Sequence, residues 1–232
     1  MTVLTGSFFY IPCDTVFFNL FAKAFFKSAK RYAPEINVHC HLFDATSKDI
    51  NWCSKNGISL TTEITPINLS TAEEKRAFWV NIRFCRITDI FDDASTVMAL
   101  DADSVVVNCI SLEQFSNDIE TDWVTIRPNG RGALGGCVAF APFGQSRHEL
   151  RKRLEEQLQS FEWFLDQRIL NDLIKEDVIG TFSTKYLDCA FTNQSKIWSG
   201  KGKTKYYNLD ETHYARINRF ANEIALYNKP AR

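Results

Sequence analysis

Strand-like and helix-like segments alternate through the first ninety or so residues, and this alternation restricts the fold more than any other feature. Phe8 to Cys13 forms a short apolar run, and Asp14 then opens a segment in which Phe17, Leu20, Phe21, Ala24 and Ser28 share one helical face. Lys23, Lys27 and Lys30 occupy the opposite face, and Pro34 marks the stop. Val38 to Phe43 reads as a second strand, Ser47 to Asn56 as a short helix ended by Gly57, and Ile58 to Thr62 as a third strand. Ser70 and Glu73 have capping-box spacing and begin a long helix whose Val80, Phe84, Ile87 and Phe91 recur at helical intervals toward a core. Such an order calls for crossover helices over a mainly parallel sheet, with ligands expected at the carboxyl ends of its strands.

A chain of 232 residues that is 45% hydrophobic can bury one sizeable core. The expectation is one α/β domain with a Rossmann-like first half, residues 1–108, and a second half, 109–232. Lys and Arg number 27 against 28 Asp and Glu, spread along the chain, which argues against a nucleic-acid footprint or a polybasic membrane patch. The N-terminus lacks a basic stretch followed by a long apolar one, and no apolar run approaches a transmembrane span, so a cytoplasmic protein is expected. Seven widely spaced cysteines, an odd number without a CxxC pair, read as reduced core residues rather than a zinc site.

Thr96 to Val107 is almost uniformly apolar except for Asp101 and Asp103. Two carboxylates one residue apart in an extended segment project to the same side. Burying like charges together is costly unless a cation or hydrogen-bond donors compensate, so a divalent metal at the strand end is expected, Mg²⁺ or Mn²⁺ from the oxygen ligands. The bland alternative is that both aspartates end a strand and cap the next turn. Arg76 and Arg83 share one side of the preceding helix, with Arg86 a turn beyond Arg83, where an anion or simply solvent could meet them.

Val124 to Arg127 and Cys137 to Ala141 suggest further strands around a loop containing Gly130, Gly132, Gly135 and Gly136. Helical patterns run through Leu150, Leu154 and Leu158, then through Leu165, Ile169 and Leu173. Trp198 to Lys205 is a glycine-spaced basic loop suited to phosphate through Lys201, Lys203 and Lys205. Ile217, Phe220, Ala221 and Ile224 mark a terminal amphipathic helix. His39 and His41 alternate along a strand and read as packing or surface residues.

Leu100-Asp-Ala-Asp103 after an apolar strand, with Arg83 on the helix before it, resembles the DxD signature of GT-A fold glycosyltransferases, particularly the glycogenin-like family 8 group. Gly135-Gly-Cys-Val-Ala-Phe140 is similar to that group's glycine-containing strand, and Asp166-Gln-Arg-Ile-Leu-Asn171 to its Asp-Gln-x-x-Leu-Asn segment. Ile197 to Lys205 resembles the group's late loop, although the usual histidine is missing and Ser199 or a neighbour stands near its place. The resemblance implies a GT-A fold and a metal-dependent hexosyltransferase that takes a sugar from a nucleotide diphosphate, by default UDP, with retention of configuration. It implies metal contacts from Asp101 and Asp103, and donor contacts from Cys13, Asp14, Arg83, Asp101, Lys201 and Lys203. Asp166 and Gln167 would then stabilise the oxocarbenium-like transition state or orient a sugar, lipid or protein acceptor.

Two other readings fit parts of the pattern. Hydrophobic-Asp-x-Asp-x-Val also resembles the nucleophile motif of haloacid-dehalogenase-like phosphatases, whose first aspartate attacks phosphate. The altered histidine position is compatible with a catalytically silent nucleotide-sugar binder.

Overall fold

The computed structural model describes residues 3–127, 132–157, 162–182, 186–188, 191–200 and 211–228, with side chains in the last segment described from 219 onward. Strand β1, Ser7–Asp14, is buried along its apolar length, as a central strand covered on both faces must be. Asp14 ends it and caps the next helix, its Oδ1 accepting from the Phe17 N–H at 2.7 Å. The helical segment then runs as α1, Thr15–Phe17, a π-helical stretch, Phe18–Ala22, and α2, Lys23–Tyr32. The wide turn changes which residues face inward. Phe18, Phe21 and Ala22 are buried, whereas Leu20, expected on the core face, stays exposed.

Strand β2, Asn37–Phe43, helix α3, Ser47–Asn56, and strand β3, Ser59–Glu63, follow as expected. Thr46 and Asp49 form a full capping box on α3, and Gly57 closes it at φ 69°, a left-handed conformation that glycine takes without a Cβ clash. Helix α4, Ala72–Ile90, is capped by Thr71 and Glu74, one residue later than the spacing of Ser70 and Glu73 predicts. It is buried on more than one side: Phe78, Ile82, Arg83 and Phe84 are all covered, while Val80 is only half-buried. Arg76 is exposed, and Arg86 makes a two-pronged contact with Glu63 at 2.6 and 2.7 Å.

Strand β4, Thr96–Leu100, is fully buried and stops just before Asp101; β5, Ser104–Val106, begins just after Asp103. The two aspartates therefore flank a tight turn, not one continuous strand, and the period-two argument for their common side does not describe them. Next come α5, Leu112–Asp118, β6, Trp123–Ile126, and β7, Ala133–Phe140. Gly135 and Gly136, which residue pattern alone puts in a loop and the family resemblance puts in a strand, lie inside β7. The chain continues through α6, Ser146–Gln157, α7, Leu165–Lys175, and β8, Gly180–Phe182. Strands β9, Leu187–Asp188, and β10, Ile197–Ser199, precede α8, Glu211–Asn228.

Seven strands form one sheet in the order β3-β2-β1-β4-β7-β6-β8, and β5, β10 and β9 form a smaller one. In the large sheet β2–β3, β1–β2, β1–β4 and β6–β8 pair in parallel, while β7 runs antiparallel to both neighbours. Phe18, Phe25, Cys53 and Phe115 from α2, α3, α5 and the π-helical stretch pack one face. Phe84, Ile87, Leu150, Leu154, Ile169 and Leu173 from α4, α6 and α7 pack the other. Each such buried side chain contributes about 1.5–3 kcal/mol to folding, and together the two layers make the mixed, mainly parallel α/β architecture expected of a GT-A domain.

Candidate active site

The strand order reverses direction at β1, which has β2 on one side and β4 on the other. In open α/β sheets such a reversal leaves a crevice outside the carboxyl ends of the strands. Cys13 and Asp14 stand at that end of β1, and Asp101 stands at that end of β4. Local rules put them there: each apolar run stops where a carboxylate meets the sheet edge.

Beside Asp101, antiparallel β7 pairs Cys137 with Leu100, and the Asp101 N–H donates to the Gly136 carbonyl at 3.1 Å. Arg83 reaches this point from α4. Its Nη1 donates to Asp101 Oδ1 at 2.6 Å, and its Nη2 donates to the Gly135 carbonyl at 2.8 Å and to Asp166 Oδ2 at 3.2 Å. One guanidinium thus ties the end of β4, the middle of β7 and the first turn of α7.

Burial works against the charge on Arg83, but Asp101 and Asp166 outweigh it and hold the guanidinium pKa above its ordinary value. Burial raises the carboxyl pKa of Asp166, and Arg83 offsets this only in part. The clamp is therefore a buried cation shared between a fully buried carboxylate and one, Asp101, that still reaches solvent with 27% of its side chain exposed. Asp166 is fixed from behind as well: its N–H donates to Asn81 Oδ1 at 2.9 Å, while Asn81 Nδ2 donates to the Glu162 carbonyl at 3.1 Å.

Gly135 is required by this packing. A Cβ at that position would lie 2.6 Å from Asp166 Oδ2 and 3.5 Å from Arg83 Nη2, so no larger residue lets β7 pass the clamp undisturbed. Asp103 is only 1% exposed, and its carbonyl accepts from the Gly200 N–H at 2.9 Å, tying the DxD turn to the segment after β10. Ser199, which stands near the place of the family's late-loop histidine, pairs with Ser104 in the small sheet.

Of the residues singled out from sequence, Arg83, Asp101 and Asp166 come into direct contact, Asp103 sits one turn away, and Gln167 adjoins Asp166. Cys13 is buried, and Asp14 spends one carboxylate oxygen on its helix cap. Lys201, Lys203 and Lys205 lie outside the described residues. Sequence reasoning missed Asn81 and Arg127, the latter donating to Gln167 Oε1 at 2.6 Å. Asn81 carried a usable signal, being an amide on the α4 face that packs into the core.

Among the described residues no group of three or more His, Cys, Asp and Glu side chains is arranged to hold a metal ion. The hard oxygen donors at the strand end are Asp101 and Asp103. That set fits Mg²⁺ or Mn²⁺, because Mg²⁺ in particular commonly binds through one or two carboxylates and takes its other ligands from water and substrate phosphates.

The fold is an α/β domain that sets a cluster of carboxylates around Arg83 near its strand reversal. No protein-family model and no curated protein sequence matches the chain. Among solved structures it is similar to the galactosyltransferase LgtC in complex with donor and acceptor sugar analogs. The TM-score is 0.66 at 14% identity, covering 97% of this chain and 98% of that one. The likeness spans nearly the whole of both chains. No described helix is long and apolar enough to cross a membrane.

Proposed function

We propose that this protein is a glycosyltransferase that moves a hexose from a nucleotide-diphosphate donor, a UDP-sugar, to a sugar, lipid or protein acceptor. The observation that carries the reading is the Arg83 clamp: a buried guanidinium joining Asp101 at the strand reversal to Asp166 at the start of α7, in a fold shared with a galactosyltransferase.

In this reading Asp101 and Asp103 hold Mn²⁺ or Mg²⁺, which when bound neutralises charge developing on the departing diphosphate. Cys13 and Asp14 face the nucleoside from the end of β1, and Lys201 and Lys203 meet the diphosphate. Arg83 spends its terminal nitrogens on protein oxygens, so its first task is to position Asp101 and Asp166. Asp166, fully buried against Arg83 and hydrogen-bonded by the Gln167 backbone N–H, orients the donor sugar or acceptor in this reading. Gln167, next in sequence, orients the acceptor. Transfer with retention is the outcome the family resemblance implies.

Calorimetric titration with UDP, UDP-glucose, UDP-galactose and GDP-mannose, each with Mn²⁺ and then with excess chelator, tests the proposal. Metal-dependent binding of a UDP-sugar is expected; binding of none of them would overturn it. Turnover of a donor that binds separates an enzyme from a silent binder.

A further inference from the structure

A cavity of about 360 Å³ opens along α7. It shares Gln167 with the site: this residue follows Asp166 in sequence, and its Cγ packs where a Cβ on Gly135 would come within 3.4 Å. Arg127, at the end of β6, lines the cavity, as do Phe164 and, further along α7, Arg168, Asp172 and Lys175.

The charges on this wall are unequal in their partners. Arg168 is neutralised by Glu162 at 3.0 Å, and Lys175 by Asp172 at 2.8 Å. Arg127 has no carboxylate partner among the described residues, and its Nη2 rests on the neutral Gln167 Oε1 at 2.6 Å. It is also half-buried, so water compensates its charge less well than it would on an open surface. The amide of Asn171 is already committed, its Oδ1 accepting from the Ala133 N–H at 2.8 Å and its Nδ2 donating to the Gln167 carbonyl at 2.7 Å. An anionic group entering here would therefore meet Arg127 first.

The neighbouring surface is aromatic. Trp163 and Phe164 are each about half exposed, with ring centroids 5.3 Å apart, and Phe164 holds a left-handed backbone at φ 69° as it lines the cavity. Exposed rings offer apolar faces to the C–H faces of a saccharide, while a guanidinium matches the geometry of a carboxylate or phosphate.

We propose that this cavity is an acceptor subsite for a saccharide bearing an acidic group, with Arg127 as the residue that selects the acid. The proposal rests on the glycosyltransferase reading and names the acceptor class for that same site. The acid would displace or share the Arg127 contact with Gln167, coupling acceptor binding to the residue beside Asp166.

Saturation-transfer NMR on the full chain, with methyl β-glucuronoside, methyl β-glucoside and glucose 6-phosphate as probes, tests binding without any turnover. The glucuronoside or the phosphate should bind about tenfold or more tightly than the neutral glucoside, and the two acidic arms identify which anion fits. Arg127→Gln should abolish that preference and Arg127→Lys should keep part of it. Equal binding of acidic and neutral probes, or a preference that survives in Arg127→Gln, would overturn the proposal. Failure of the glycosyltransferase reading would show separately, as an absence of UDP-sugar binding and turnover while the acid preference persists.

Discussion

Arg83 and Asp166 meet at 3.2 Å inside the protein, 83 residues apart in sequence, and this contact fixes the first turn of α7 against α4. The pair is buried, so each member depends on the other more than a surface ion pair would. Removing one partner of a buried pair leaves an uncompensated charge, which costs about 3–5 kcal/mol. Arg83→Leu should lose stability on that scale in chemical denaturation. Adding Asp166→Asn should recover part of it, because the stranded carboxylate is gone. Strict additivity of the two changes would show that they do not interact.

Gly135→Ala tests the close approach of β7. The new methyl would sit 2.6 Å from Asp166 Oδ2, so the carboxylate must shift. Overpacking of this kind costs about 1–3 kcal/mol. Donor turnover is expected to fall with it, and wild-type turnover in a folded Gly135→Ala protein would separate Asp166 from the chemistry.

Asn81→Leu removes the acceptor for the Asp166 N–H and the donor to the Glu162 carbonyl. Leaving buried backbone groups without partners costs about 1–3 kcal/mol. A melting temperature equal to wild type would show that the Asn81 hydrogen bonds do not hold α7.

Much of the fold was legible because its signals are local. The apolar runs of β1, β2 and β4, the Ser47 to Asn56 helix stopped by Gly57 and the Leu165 to Leu173 stripe each follow from periodicity and stop signals within a few residues. Leu20 was misplaced because a π-helical turn alters helical facing without a composition signal. Residue pattern alone puts Gly135 and Gly136 in a loop because glycine usually breaks strands, and only the family resemblance puts them in a strand; the missing side chain of Gly135 lets β7 pass Arg83 and Asp166. The contacts of Arg83 with Asp166 and of Arg127 with Gln167 join distant segments, which spacing along one sequence does not reveal. Asp101 and Asp103 stood out because carboxylates interrupt an apolar run, although the turn between them was not visible.

Acid should unfold the protein partly through His39. Its ring nitrogens lie 2.9 Å from the Ser59 and Thr61 hydroxyls, and burial, with His41 beside it, lowers its pKa from 6.5 to about 3. Between those values the unfolded chain binds a proton that the native state refuses, so stability falls as pH drops through 6.5 toward 3. The slope approaches about 1.4 kcal/mol per pH unit from this group. Glu63 adds to the loss at the acid end: Arg86 and His41 overcome its burial and depress its carboxyl from 4.5 to about 2, so its stabilisation disappears as pH falls through that range. Denaturation curves of His39→Gln between pH 7 and pH 5 should be flatter than wild type; an unchanged slope would show that His39 is not the group responsible.

The most direct measurement is release of UDP from UDP-glucose and UDP-galactose by wild type and Asp103→Asn, with Mn²⁺ and again after chelation. Wild type should turn over one of these donors only with metal, and the variant should lose about 100-fold or more while remaining folded. Metal-independent turnover, or full activity in Asp103→Asn, would contradict the assignment of the DxD turn as the centre of a glycosyltransferase site.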